Sequence, residues 1–193
     1  MSLTAVEILA PEVALIQDAK LREFAELCLA ELPEHFEHMP ASSSGKYHPS
    51  YALDDGGLIR HTKAAVLFAI DIIKSQPSCF TTCDTDIVIC ALILHDGLKS
   101  GYEPGSTKFE HPLLMAEFCN HLYENNLERF EAASEMISQV IACITCHMGR
   151  WNTSNKSTAV LPLPWTPLER LVHTCDYLAS RKHYMVEIKE FNR

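Results

Sequence analysis

At 193 residues, 47% of them hydrophobic, the chain is long enough to bury a core as one domain spanning residues 1–193. Its formal net charge of -9, from 25 acidic against 16 basic residues, argues against a surface made to grip long nucleic acid, but leaves room for a small phosphorylated ligand. No apolar run approaches the ~18 residues of a membrane span, and the opening from Met1 to Lys20 has neither a basic nor an apolar signal region. A cytoplasmic location is therefore expected, with the eight cysteines as reduced thiols buried like small apolar residues.

Thr4-Ala5-Val6-Glu7 has the form of a capping box, and Pro11 suits a first helical turn. From Glu12 to Leu32, apolar residues such as Leu15, Ala19, Phe24, Leu27 and Leu29 recur at helical spacing and predict one amphipathic helix. His35 and His38 could share a metal if helical, but Pro33 and Pro40 bracket them and weigh against it. Residues 37–57 form a long loop rich in Ser, Pro, Asp and Gly, and loops of that length are often lids or binding loops. Leu58 to Ile73 reads as a mostly buried helix carrying His61 in its first turn, just after Gly56-Gly57.

The run Ile87-Val88-Ile89-Cys90-Ala91-Leu92-Ile93-Leu94 has no polar face, so it must lie inside the protein. Asp84 and Asp86 before it and Gly97 behind it favour a helix over a strand. It ends in His95-Asp96, which delivers an imidazole and a carboxylate to one place at the rim of the core. Both are first-choice ligands for a divalent transition metal.

A turn-rich connection with Lys99, Tyr102 and Lys108 leads to a helix opened by His111-Pro112. Another helix is predicted from about Phe130 to His147, followed by a long loop with Arg150 and Trp151. The capping box Thr166-Pro167-Leu168-Glu169 starts a last helix, whose apolar face Asp176 interrupts. No strand-like alternation of any length occurs, so the fold class is all-α.

Most of these candidate ligands fall at helix ends, where chain segments of a bundle can converge. Four His and two Asp would supply ligands for two ions with open positions, with Asp96 as the natural bridge. Any one histidine taken alone is better read as a hydrogen-bonded cap; order and context shift the balance. Gly56-Gly57-x-x-x-His61, then Ala91-Leu92-Ile93-Leu94-His95-Asp96, then His111, His147 and Asp176, resembles the HD-domain superfamily of metal-dependent phosphohydrolases. The resemblance covers about residues 56–181, leaving residues 1–36 as an N-terminal helical extension.

That resemblance implies an HD-like helical bundle with an additional N-terminal helix. It implies one ion on His61, His95, Asp96 and Asp176, and a second on Asp96, His111 and His147. It implies a phosphomonoesterase or phosphodiesterase for a nucleotide-like or other small phosphorylated substrate, with Lys99 contacting a phosphate oxygen. Metal identity is open among Mn, Fe, Co, Ni and Zn. Arg150, Tyr102 and Trp151 are candidate substrate contacts from their place in nearby loops. Three alternatives remain. One is a di-iron oxygenase of the same superfamily, cleaving a C-C or C-P bond with the same ligands. Another is a non-catalytic nucleotide-binding or sensory module. Cys143-Ile144-Thr145-Cys146-His147 also matches a haem-attachment pattern, without the export signal that would accompany it.

Overall fold

A computed structural model describes residues 3–42 and 45–184; residues 1–2, 43–44 and 185–193, included in the expected domain and loop, lie outside the described residues. The described residues are all-helical apart from an isolated bridge between Thr153 and Val160. The α-helices are α1 (Ala5–Val13), α2 (Ala19–Ala30), α3 (Gly57–Ser75), α4 (Thr82–Leu94), α5 (His111–Glu124), α6 (Leu127–Phe130), α7 (Ser134–Cys146) and α8 (Pro167–Ala179).

α4 is the axis. Thr81 and Asp84 close a reciprocal capping box at its start, and residues Asp86 to Leu94 are all buried. A helix that is apolar all round has to be covered on every side. α1, α2, α3, α7 and α8 do this, while α5 packs on the outside of α7. Each large side chain removed from water there contributes about 1.5–3 kcal/mol, so the position of α4 is strongly determined.

The helix expected from Glu12 to Leu32 is two helices. α1 runs through Pro11, which sits inside it rather than in its first turn, and ends at Val13. α2 restarts behind Asp18, whose carboxylate caps the backbone N–H groups of Lys20 and Leu21. The break is fixed from elsewhere in the chain. The buried carboxylate of Asp86 accepts the backbone N–H of Gln17 at 2.9 Å and of Asp18 at 2.7 Å. Asp86 is therefore not a helix-start residue of α4 but an acceptor for the α1–α2 connection. Buried Lys63 of α3 makes a matching tie, donating to the Ile8 carbonyl and to Glu12 at 2.6 Å. The helix expected from Phe130 likewise starts later, at Ser134, after a short α6 and a 3₁₀ turn. Within the helix expected to be mostly buried, Leu67 is 41% exposed.

Two glycines set the start of α3. Gly56 has φ +71°, a left-handed conformation that side chains resist, and a Cβ on Gly57 would lie 2.5 Å from the Ala52 carbonyl oxygen. The backbone thus passes closely over the loop before turning His61 inward. Six of the eight cysteines are buried, but Cys79 and Cys83 are exposed. No helix among the described residues is long and apolar enough to cross a membrane.

Removing the buried Asp86 carboxylate would take the acceptor from two backbone donors of the α1–α2 connection. Asp86→Ala should cost about 2–3 kcal/mol, read as a lower urea midpoint with an unchanged slope. Asp84→Ala, which loses only a surface cap, should cost about 1 kcal/mol.

Candidate metal centre

Each candidate ligand is delivered by a helix end or by one inward helix position. His61 is on the fifth residue of α3, His95 and His147 are the C-cap residues of α4 and α7, and His111 is the first residue of α5. Asp96 follows His95, and Asp176 lies in the last turn of α8. All six converge. His61, His95, Asp96, His111 and His147 are no more than 2% exposed, and the Asp176 side chain is 18% exposed.

The Asp96 carboxylate divides the cluster. Its Oδ1 faces His111 Nε2 at 3.0 Å and His147 Nε2 at 3.7 Å. Its Oδ2 faces His95 Nε2 at 3.5 Å and His61 Nε2 at 3.9 Å, and also accepts from Lys99 Nζ. Asp176 Oδ1 closes the second side, at 3.0 Å from His61 Nε2 and 3.6 Å from His95 Nε2. Ligand atoms of His61, His95 and Asp96 lie within 4.8 Å of one another, as do those of Asp96, His111 and His147, and those of His95, His147 and Asp176.

The histidines are oriented like ligands. Nδ1 of His95, His111 and His147 each lies 2.7 Å from a backbone carbonyl, of Leu92, Lys108 and Ile144 respectively. A carbonyl only accepts, so Nδ1 carries the proton, and a neutral ring then presents a lone pair at Nε2. That is the outer hydrogen bonding that metal-binding histidines use. Two observations test whether a cation fits. Nε2 of His95 is buried without a hydrogen-bond partner. Nε2 of His111 and His147 face each other at 3.1 Å. Lone pairs repel at that distance, whereas two nitrogens about 2.0–2.1 Å from one ion stand roughly 3 Å apart. The residues fit a metal, and this buried His/Asp cluster could hold metal ions.

Charge follows the same geometry. Burial penalises ionisation of Asp96 and Asp176, but the cations and hydrogen-bonding histidines beside them hold both carboxyls well below their usual range. Burial and the neighbouring His95 and His111 push His147 down to about 3. The carboxylates around His95 outweigh its burial and raise it.

Of the other candidates, Lys99 is buried and ion-paired with Asp96, not a solvated loop lysine. Arg150 is exposed and lies 4.5 Å over the Trp151 ring, which stacks on Tyr177 at 5.5 Å. The Trp151 ring also lies 6.1 Å from that of His173, whose Nδ1 donates to the His147 carbonyl at 2.7 Å, and this links Trp151 to the backbone of one candidate ligand. Tyr102 is 55% exposed and lines a groove with Glu117, Phe118 and His121 along α5, a groove that none of the candidate ligands lines. His35 and His38 pair with Ser100 and Asp55 instead of with each other. Cys143 and Cys146 are packed into the buried side of α7, where burial pushes both thiols up to about 12.

Residues missed by the sequence reading are His48, Tyr47, Tyr177 and Arg181. The His48 ring lies 5.7 Å from that of His61, and burial pushes it down to about 4. The Arg181 guanidinium sits 4.6 Å from Tyr177, 5.3 Å from Tyr47 and 5.7 Å from Trp151. The length of the loop at residues 37–57 was the only sequence signal for His48 and Tyr47. No family model, curated protein or solved structure matches the chain.

His48 and His147 are depressed from 6.5 to about 4 and about 3, so the unfolded chain binds more protons than the folded one as pH falls below 6.5. The depressed Asp96 and Asp176 lose stability in the same direction at still lower pH; the raised His95 acts oppositely. Metal-free protein should thus lose stability on acidification from pH 7 towards pH 4, seen as a falling Tm. His147→Gln should flatten that dependence.

Proposed function

We propose that the protein is an HD-type metal-dependent phosphohydrolase that cleaves a phosphoester of a small, nucleotide-like substrate at a two-ion centre. The observation that carries this reading is the division of Asp96: one oxygen turned to His111 and His147, the other to His61 and His95. A single-ion site needs no carboxylate shared between two imidazole pairs. The order of these residues in the chain is that of the HD superfamily, which supports the assignment further.

His61, His95, Asp96 and Asp176 would hold one ion, and Asp96, His111 and His147 the other. Bound there, divalent ions would supply Lewis acidity and bring the pKa of a water into the neutral range. The chain's own contribution is positioning and charge. The carbonyl-bound Nδ1 atoms of His95, His111 and His147 keep those three rings fixed, so the site reorganises little during reaction. Lys99, paired with Asp96, would transfer its ammonium contact to a substrate phosphate oxygen and offset charge gathering there. Trp151 and Arg150 offer an exposed ring and a guanidinium near the cluster, suited to a planar base and an anion.

Elemental mass spectrometry on protein purified without chelator or nickel tests the centre. Wild type should carry about two metals per chain, and His111→Ala or His147→Ala about one. Asp96→Asn should lose metal and phosphoester turnover together; full turnover without metal would refute the reading. Turnover should also persist without dissolved oxygen. A strict oxygen requirement would hand the same ligands to the di-iron oxygenase chemistry.

A further inference from the structure

His48 is the histidine of this region that the ligand set leaves unused. It belongs to none of the three groupings of ligand atoms, yet its ring lies 5.7 Å from that of His61. The charges of Asp176, Asp96 and Lys99 all act on it. Its Nδ1 is buried and has no hydrogen-bond partner. Buried polar nitrogens in folded proteins are almost always bonded, so an unsatisfied one beside a cluster of this kind calls for a specific cause. An ion accounts for the orphaned Nε2 of His95 but not for His48, which lies outside the ligand groupings.

Nor is His48 there by default. The backbone on both sides of it is tied down. The Lys182 N–H donates to the Tyr47 carbonyl at 2.8 Å, and the Arg181 guanidinium joins the Tyr47 ring to that of Tyr177, the neighbour of Asp176. On the other side Pro49 fixes its own φ and its carbonyl accepts from Ala52 at 3.1 Å. Ordering a loop in this way costs conformational entropy, and here it holds an unsatisfied imidazole next to the ligands.

We propose that His48 is a substrate-contacting residue, whose imidazole hydrogen-bonds an oxygen of the tetrahedral phosphate group bound at the centre. An imidazole offers one N–H and one lone pair, which suits it to an oxyanion without competing for a metal position. The assignment rests on the phosphohydrolase reading of the same centre.

Calorimetric titration of inorganic phosphate into the metal-loaded full chain tests it, with metal content measured on the same samples. His48→Ala should keep wild-type metal and bind phosphate about tenfold more weakly, the loss of one hydrogen bond to a charged group. His48→Gln, which retains a side-chain donor and acceptor, should recover much of that affinity. Phosphate binding by His48→Ala equal to wild type would overturn the proposal. So would a fall in its metal content, which would make His48 a support for the ions. Fully metallated wild type that binds no phosphate would instead refute the phosphohydrolase reading, and the contact with it.

Discussion

A helix without a polar face can lie only where protein covers it on all sides, and α4 meets that condition by becoming the axis of the bundle. The other elements take their places around it. Because α4 is fixed, so is the point where it ends, and His95 and Asp96 emerge there buried among the ends of α7 and α5 and the inner faces of α3 and α8. Precision at the cluster is inherited from packing far from it. A centre whose ligand atoms must agree to within a few tenths of an ångström is better mounted on such an axis than on loops.

The cluster also shows how an unfavourable arrangement can persist. Two carboxylates and four imidazoles are gathered in a nearly dry site, where separating charge from water is expensive. Asp96 answers part of that cost by accepting from Lys99 and facing imidazoles on both oxygens. The remainder includes two imidazole nitrogens turned on one another, at His111 and His147, a contact that a bound cation would relieve.

Around this centre the chain uses distant polar ties to set local structure. Asp86 and Lys63 are buried charges whose partners are in α1 or the α1–α2 connection, so the N-terminal helices are pinned to α4 and α3 by hydrogen bonds as well as by apolar contact. Arg181 does the same at the other end, gathering Tyr47, Trp151 and Tyr177 from three separate segments into one cation–aromatic cluster beside Asp176. These ties bring the loop at residues 45–49 up to the ligands, and with it His48.

Much of this was determined by the sequence alone. Eight apolar residues running into His-Asp dictate a buried helix with two ligands at its end, and the capping boxes at Thr4, Thr81 and Thr166 mark helix starts where they are found. Such features are local: periodicity, caps and turn residues act within a few positions. What needed the tertiary structure was everything set by a partner remote in the chain. The apolar spacing of residues 12–32 reads as one helix, and only the arrival of Asp86 shows why it breaks. Tyr102 is near Lys99 in sequence yet is exposed beside Glu117 and His121 of α5, while His48 reaches the centre from a loop with no periodic pattern. The sharing of Asp96 between two imidazole pairs was decided at the same level, because it depends on where helix ends meet, and helix ends meet only when the core has packed.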